Sequence, residues 1–483
     1  MRFQLCTLAI GLFAAASAQA SPWAEVGDNA LRADVAVLAA SGVVNGITTQ
    51  WALPWDGLLG GLGEAQLSAQ TPSVRAAASR VLARGKAEIA LGFSASLTLG
   101  AATTPSIVYG FDSMGRGDGQ AQLSLAYASG GTSARLSVGA FTADFTGRSV
   151  KFMPDGSYIA QKVGDTLVYA GYLSHWWGPG WTSALALSNN ARPMPQIGIQ
   201  RVSSEASSWP ILNLLGPWRA EFFIGLLNDP RIDRNTIYDA VHFTFNPLPG
   251  LEIGIARTEQ ICGENHPCVP LRDTLHLDNS PTNVNYTNNE GQIDLRWSHT
   301  LLGVPAEFYM SLMNEDSSPF THSGTVHLFG VTAFVPLNYG TPLRLTVEYT
   351  DSLATNDIFS FGNVMYGFSY NNGGYPDGMR YRGRTIGFSL DSDSRLLSLQ
   401  GAWSDEGGRF YEVYFHNAHI SHPRNLLGNV VTTAPVVISM AEARVAFPFA
   451  DIRLDLAARF QDDQPRPAAG FAASFEATIR VAL

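Results

Sequence analysis

The sequence predicts an all-β chain whose main part is a transmembrane antiparallel β-barrel. Three observations lead to this prediction. From residue 86 to the end, apolar and polar side chains alternate with a period of two. Charged residues make up 15% of the 483 residues, against about a quarter in soluble proteins, and aromatic residues make up 11%. No run of about 18 apolar residues follows residue 20, so a transmembrane helix is not available.

Residues 1–20 have the features of a secretory signal peptide. Arg2 is followed by an apolar stretch over residues 8–16 and by the small-residue cleavage site Ala18-Gln19-Ala20. Its removal leaves 30 Lys and Arg against 41 Asp and Glu, a net charge of −11. We therefore expect a protein exported to the outer membrane of a Gram-negative bacterium. Nucleic acid is not an expected partner, because binding to phosphate backbones needs concentrated positive charge.

The next region, residues 21–85, is predicted to be helical, and the family resemblance described below implies that it acts as a plug. Apolar residues recur at helical spacing over residues 28–42, where Asp28 is placed to cap the first turn and Gly42 to end the last. An Ala-rich second helix is predicted over residues 72–84, ending before Gly85.

Residues 86–483 are predicted to form the barrel, with about 18 to 20 strand-like segments of roughly ten residues. Connections alternate between tight ones, such as 130–131, and long ones, such as 143–165 and 258–290. The alternation weakens between 371 and 408, and an even strand number is expected. The carboxyl-terminal segment is the clearest strand. Its apolar face consists of Phe471, Ala473, Phe475, Ala477, Ile479, Val481 and Leu483.

A tryptophan-rich run is the first candidate for ligand binding. Trp176, Trp177 and Trp181 lie within seven residues, and Arg192 follows in a turn-like stretch. Flat indole rings stack on sugar rings, which makes the three tryptophans candidate polysaccharide contacts, and Arg192 is a candidate by its position after them. The alternative is an aromatic girdle that anchors the barrel at the lipid headgroups.

Arg380, Arg382 and Arg384 form a second candidate site. Guanidinium groups pair bidentately with carboxylate and phosphate, so these residues fit an acidic sugar or a lipopolysaccharide phosphate. They share strand parity with Ile386, which would place them on the lipid side of a regular strand. A bulge at Gly383, or a position beyond the hydrocarbon, would remove that difficulty.

The cysteines and histidines favour a disulfide over a metal site. Cys262 and Cys268 are the only cysteines left after processing, and export favours their pairing. Metal binding by these cysteines with His266 is the weaker alternative. His416, His419 and His422 are spaced by three, which alternates faces on a strand, so they converge on one ion only if a loop brings them together. We predict no metal and no cofactor.

Catalysis has little support in the sequence, and we predict that the protein is not an enzyme. The sequence contains no Gly-x-Ser-x-Gly elbow and no His-Glu-x-x-His pair. The Tyr-x-His-x-Ser-Asn-Gly run of outer-membrane phospholipases is also absent.

Four stretches resemble the capsule assembly Wzi family, and together they extend along essentially the whole mature chain. They lie in residues 21–55, 176–195, 215–258 and 381–418. The second is the most specific, with Trp176-Trp177-Gly178-Pro179-Gly180-Trp181 followed by Ser188-Asn189-Asn190-Ala191-Arg192-Pro193. The resemblance implies an 18-stranded barrel, closed on the periplasmic side by an amino-terminal helical bundle. It also implies an outer-membrane lectin that holds capsular polysaccharide at the cell surface.

The expected partners follow from this reading. They are capsular or extracellular polysaccharide, outer-membrane lipid and lipopolysaccharide, and the barrel assembly machinery. The alternative function is an outer-membrane channel or porin for polysaccharide or small solutes. A plugged barrel would be silent in a bilayer, whereas a channel would conduct.

Overall fold

The computed structural model describes residues 20–63, 67–112, 115–144, 147–268, 287–315, 324–337, 340–356, 363–449 and 451–483. The predicted signal peptide therefore lies outside the described residues, apart from Ala20. In this part of the chain, no helix combines the length and the apolar character needed to cross a bilayer.

Eighteen antiparallel strands form a closed barrel, which confirms the predicted fold class. The first nine strands are β1 Gly92–Ala102, β2 Gly119–Ser129, β3 Thr132–Thr142, β4 Tyr158–Val163, β5 Thr166–Gly171, β6 Gln196–Arg201, β7 Trp218–Leu227, β8 Thr236–Leu248 and β9 Leu251–Ile261. The other nine are β10 Asn288–Leu301, β11 Val304–Glu315, β12 Thr325–Val335, β13 Leu343–Thr355, β14 Arg395–Ser404, β15 Phe410–Ile420, β16 Val436–Phe449, β17 Ile452–Gln461 and β18 Ala472–Ala482.

The barrel closes between its last and first strands. β18 pairs with β1 in a register that runs from Glu476 opposite Ala102 to Ala482 opposite Ser96. The backbone N–H of Leu483 donates to the carbonyl of Ala95 at 2.9 Å, which extends the seam to the chain end. The amphipathic carboxyl-terminal segment is thus the closing strand, and no sheet edge is left open at this seam.

One predicted loop contains strand structure. Residues 143–165 were expected to form a long connection. Instead, Val150–Met153 pairs with the carboxyl-terminal half of β3, and β4 pairs with its amino-terminal half. The prediction is wrong here because a break near Gly156 interrupts the alternation. Gly156 has φ +82°, a backbone conformation that favours glycine.

The strands separate an apolar outer face from a polar inner face. On β13, Leu345, Val347 and Tyr349 are 44%, 51% and 37% exposed, whereas Glu348 is 1% exposed. The outer faces of the other strands are likewise apolar, and their exposed aromatic rings include Trp297. Such a belt is stable against lipid, so the barrel spans a membrane.

The two ends of the barrel differ. Tight turns such as 130–131 and 249–250 lie at the end where β1 begins. One longer connection, residues 202–217, also lies at this end, and the other long connections lie at the opposite end. Outer-membrane barrels have short periplasmic turns and long extracellular loops. The tight-turn end is therefore periplasmic, and the amino-terminal helices lie at this end.

The amino-terminal region contains helices α1 Asn29–Ala40, α2 Trp55–Gly60 and α3 Pro72–Glu88. The Asp28 carboxylate accepts from the N–H of Leu31 and caps α1, as predicted. The predicted end of α3 at Gly85 is wrong, because the helix continues to Glu88. A Cβ at Gly85 would lie 2.9 Å from the side chains of Trp55 and Leu59, so this glycine allows α2 to pack against α3.

Several extracellular connections fold back into the lumen, including residues 105–112 between β1 and β2, where the Phe111 N–H donates to the Trp181 carbonyl at 3.3 Å. Two further connections do the same. We call residues 172–195, between β5 and β6, insert A, and residues 363–394, between β13 and β14, insert B. The backbone N–H of Ser188 in insert A donates to the carbonyl of Ile386 in insert B at 2.9 Å, and the Tyr370 hydroxyl donates to the carbonyl of Leu185 at 2.8 Å. Insert B explains why the alternation weakens between 371 and 408.

Candidate functional site: the plugged lumen and its extracellular mouth

The tryptophan run of insert A lies in the middle of the lumen. Trp176 and Trp177 pair in antiparallel fashion with Trp51 and Gln50 of the amino-terminal region. Trp176 and Trp177 are 0% exposed and Trp181 is 4% exposed. The girdle interpretation is therefore wrong, because these rings do not face the lipid. Stacking on a sugar is also not available to them in this conformation, since no ring face is open to solvent.

Arg32 of α1 joins the periplasmic and extracellular parts of the plug. Its Nη2 donates to the carbonyls of Pro179 at 2.9 Å and Gly180 at 2.8 Å. Its guanidinium carbon lies 4.4 Å from the ring centroids of both Phe111 and Trp181. Burial lowers the pKa of Arg32 to about 9, so the group is still protonated at pH 7. A cation held by carbonyls and aromatic faces thus connects α1 to insert A.

Carboxylates of the barrel wall hold both parts of the plug. Glu348 of β13 accepts from the backbone N–H groups of Trp181 at 2.6 Å, Thr182 at 3.0 Å and Ser183 at 2.9 Å. Glu252 of β9 does the same for the amino-terminal region, accepting from the backbone N–H and the hydroxyl of Thr48 and of Thr49. Charge-assisted hydrogen bonds of this kind are roughly twice as strong as neutral ones. The lumen is therefore closed by segments that are fastened to its wall.

The candidate arginines lie at the extracellular side of the plug, in an inserted hairpin instead of a barrel strand. Arg380–Tyr381 pairs with Arg384–Thr385, and Arg382 (φ +52°) and Gly383 (φ +76°) form the turn. The predicted parity problem does not arise, because Ile386 lies in the core at 1% exposure.

Two of the candidate arginines have acidic partners. Arg192 forms a bidentate pair with Asp155, with Nε–Oδ2 at 2.9 Å and Nη2–Oδ1 at 2.6 Å. Arg380 forms a bidentate pair with Asp391, with Nε–Oδ1 and Nη2–Oδ2 both at 3.0 Å. The Arg192 pair holds insert A in place, and the Arg380 pair holds insert B. Each guanidinium charge is therefore largely neutralised by a carboxylate of the protein.

Arg384 and Arg382 differ from those pairs and from one another. Arg384 is buried, donates to Asn190 Oδ1 at 3.3 Å, and has its pKa lowered to about 10 by burial and then by nearby Arg116. Arg382 is half-exposed, with Nη2 donating to Asn228 Oδ1 at 3.0 Å. Among the predicted contacts, Arg382 is thus the group best placed to meet a ligand from outside.

Arg148 was not predicted and lies beside this turn. It is exposed, and a Cβ at Gly383 would collide with its guanidinium group. Arg148 and Arg382 together place two guanidinium groups at the extracellular mouth. No sequence signal marked Arg148, because it stands alone in a loop that is distant from residue 382 in the chain.

The cysteines are also near the mouth. Cys262 and Cys268 form a disulfide with a Cα–Cα distance of 4.3 Å, the pairing that the sequence predicts. The Tyr375 hydroxyl of insert B donates to the Cys262 carbonyl at 3.0 Å, and the His266 ring stacks on Tyr375 at 4.2 Å. In the described ranges, no group of three His, Cys, Asp or Glu side chains has the arrangement of a metal site.

Taken together, the closed strands, the lipid-facing belt and the fastened plug define a plugged outer-membrane β-barrel. Comparison with known proteins gives the family. The family described as capsule assembly protein Wzi matches residues 92–418, and the chain belongs to this family.

The chain is also similar to individual relatives and solved structures. The structure of Wzi from Escherichia coli, described as a carbohydrate-binding β-barrel and an outer-membrane protein involved in group 1 capsule assembly, aligns with a TM-score of 0.81 at 21% identity. That alignment covers 95% of this chain and 99% of that one. An uncharacterized 55.8 kDa protein in the cps region of Klebsiella pneumoniae is 27% identical over 332 residues. The match spans 67% of this chain and 64% of that relative. OprD from Pseudomonas aeruginosa aligns at a TM-score of 0.45 and 10% identity, over 81% of this chain and 95% of that chain.

Proposed function

We propose that this protein is a lectin-like barrel that attaches capsular or extracellular polysaccharide to the cell surface without chemical turnover. The observation that carries the proposal is the plug. The lumen is filled from both ends by segments bonded to wall carboxylates such as Glu348 and Glu252. A barrel closed in this way offers a ligand its extracellular surface instead of a passage. Membership of the capsule assembly family supports the same function.

The mouth supplies chemistry that suits an acidic sugar chain. Arg148 and Arg382 are accessible from outside, and guanidinium groups bind carboxylates through paired N–H donors. We propose Arg382 as a direct contact. The other predicted contacts contribute by holding the inserts in place, and of these all but the partly buried Arg380 are buried: Trp176, Trp177, Trp181, Arg192 and Arg384. The alternative function, a channel, requires the plug to leave the lumen.

The remaining expected partners belong to the same proposal. The apolar belt suits outer-membrane lipid and lipopolysaccharide as the surroundings of the barrel. The amphipathic closing strand β18 suits recognition by the barrel assembly machinery.

The test combines binding and conductance on one preparation of detergent-folded protein. Purified extracellular polysaccharide of the source organism is titrated at low and high salt, and the same protein is placed in a planar bilayer. We expect saturable binding and a silent bilayer. Arg382→Gln should weaken binding about fivefold at low salt, through loss of one charge-assisted contact. Arg409→Gln, an exposed arginine in the periplasmic turn, is the matched control and should bind like the wild type.

Steady conductance together with no polysaccharide binding would instead assign the protein to the channels. Equal loss of binding in Arg382→Gln and Arg409→Gln would remove the mouth from the proposal, because the effect would then be one of net charge.

A further inference from the structure

A cavity lies at the extracellular rim of the barrel, away from the mouth where Arg148 and Arg382 lie. It has a volume of about 780 Å³ and lies between the upper ends of β13 to β17. We call it the rim pocket. The side chains used below are Tyr366, Asp393, Arg395, His419, His422 and Arg466. The volume falls within the range of about 300–1,000 Å³ that is usual for small-molecule sites. The sequence drew attention to His419 and His422 only as possible metal ligands, and none of the six residues was predicted to contact a polysaccharide.

One wall of the rim pocket is aromatic. The rings of Tyr366 and His422 stack with centroids 4.4 Å apart and an interplanar angle of 27°. The guanidinium of Arg424 lies 5.3 Å from the Tyr366 centroid and supports the stack. Partial burial, followed by Arg424 and Arg395, lowers the pKa of His422 below its usual value. The imidazole is therefore neutral at pH 7 and offers one donor and one acceptor.

The other walls offer fixed polar groups of both signs. Arg395 Nε donates to Asp351 Oδ2 at 2.9 Å, and Arg466 Nη2 donates to Asp463 Oδ2 at 3.0 Å. Asp393 Oδ2 accepts from the backbone N–H of Gly367 at 2.7 Å. A guanidinium has five N–H donors and a carboxylate about four acceptor positions, so these bonds orient the groups and leave capacity for a ligand.

The combination of these walls identifies the ligand class. The carboxylates and guanidiniums that line the pocket balance, so the pocket does not select a polyanion. The apolar side chains of Leu353, Val364 and Val437 complete the lining. Apolar and aromatic surface surrounded by oriented donors and acceptors fits a compact polyhydroxylated molecule, whose ring C–H groups and hydroxyls meet both kinds of surface.

We propose that the rim pocket is a saccharide-binding subsite, distinct from the mouth, that takes a neutral sugar unit of a chain lying along the cell surface. This inference rests on the proposed function, because it assigns a second contact to the same polysaccharide. Core sugars of lipopolysaccharide have the same chemistry. The experiment separates the two sources.

The probes are size-defined oligosaccharides from partial hydrolysis of the organism's extracellular polysaccharide and, in a second arm, core oligosaccharide freed of lipid A. Detergent-folded full-length protein is titrated calorimetrically with each probe. Tyr366→Ala should weaken binding about tenfold, through loss of one ring contact. Arg395→Gln and His419→Ala should each weaken it several-fold. Tyr411→Ala is the matched control, because Tyr411 is also half of a stacked pair, with Trp403, at the periplasmic end of the barrel.

The outcomes distinguish the subsite from the function. Loss of oligosaccharide binding in the pocket variants, with Tyr411→Ala unchanged, supports the subsite. Wild-type affinity in all three pocket variants overturns it and leaves the proposed function intact. If the wild type binds only the core oligosaccharide and the pocket variants lose this binding, the subsite stands with lipopolysaccharide as its source, and the proposed function fails. Binding of neither probe overturns both. If Tyr366→Ala does not fold, the other two variants decide.

Discussion

Charged side chains on the two sides of the lumen have different partners. On the clamp wall, formed by β9 to β13, the carboxylates of Glu252 and Glu348 point at backbone N–H groups of the plug. On the ladder wall, formed by β15 to β18, most charges pair with one another, and the contacts to the plug include Arg453 at 3.6 Å from Asp28 and Asn29 Nδ2 donating to Glu412 at 2.9 Å. Arg444 pairs with Glu442, and Arg453 pairs with Asp455 at 2.8 Å.

The difference between the two walls shows how a barrel can be closed by segments of its own chain. A loop inside a lumen has many unpaired N–H groups, and leaving them unpaired costs about 1–3 kcal/mol each. A wall carboxylate satisfies several of them at once, as Glu348 does for three consecutive residues. The ladder wall satisfies fewer backbone N–H groups per carboxylate, since Glu476 accepts from that of Gly115 alone, at 2.6 Å. Plug retention should therefore depend on the clamp wall.

The largest effect is expected from Glu348→Gln. The substitution replaces one acceptor oxygen by an amide that faces the N–H groups of residues 181–183. We expect the free energy of unfolding to fall by about 3 kcal/mol, because a charged acceptor of several hydrogen bonds is lost. Brief conductance steps should appear in a planar bilayer as insert A loosens. Thr346→Ser, on the same face of β13, should change neither quantity. A silent Glu348→Gln barrel of wild-type stability would contradict the role given to the clamp wall.

Glu252→Gln should have the next largest effect, about 2 kcal/mol, since it weakens the contacts to Thr48 and Thr49. Here the periplasmic part of the plug loosens while insert A stays in place. Hydrogen exchange should therefore quicken in residues 41–63 and stay unchanged in residues 181–187. Faster exchange in both segments would mean that the two parts of the plug are held as one unit.

Gly85→Ala tests the packing of the plug independently of the wall. The new Cβ would lie 2.9 Å from Trp55 and Leu59, and overpacking of this kind costs about 1–3 kcal/mol. We expect a loss of about 1 kcal/mol in detergent unfolding. Gly60→Ala is the matched control in α2, because a Cβ there meets nothing within 4 Å. The comparison fails if both alanines destabilise the protein equally.

The wall was predictable from sequence, whereas the plug was predictable only in part. Alternation fixes which face of a strand is apolar, and Asp28 marks the start of α1, because both signals are local. The positions of Trp177 and Arg384 depend on partners far away in the chain, such as Gln50 and Asn190. Residues 380–386 resemble a strand by parity, yet they fold inward because insert A supplies the hydrogen-bond partners.

Asp455→Asn on the ladder wall should have the smallest effect. Asp455 pairs with Arg453 at 2.8 Å and Arg480 at 3.9 Å, and Arg453 also lies 3.6 Å from Asp28. Arg453 keeps Asp28 as a second carboxylate, and asparagine keeps one acceptor oxygen for it, so we expect the free energy of unfolding to fall by less than about 1 kcal/mol and no conductance to appear. The bilayer recording used for Glu348→Gln is the measurement. Conductance in Asp455→Asn comparable to that of Glu348→Gln would mean that both walls hold the plug. The distinction between the clamp wall, which holds the plug, and the ladder wall, whose charges pair mostly with one another, would then no longer hold.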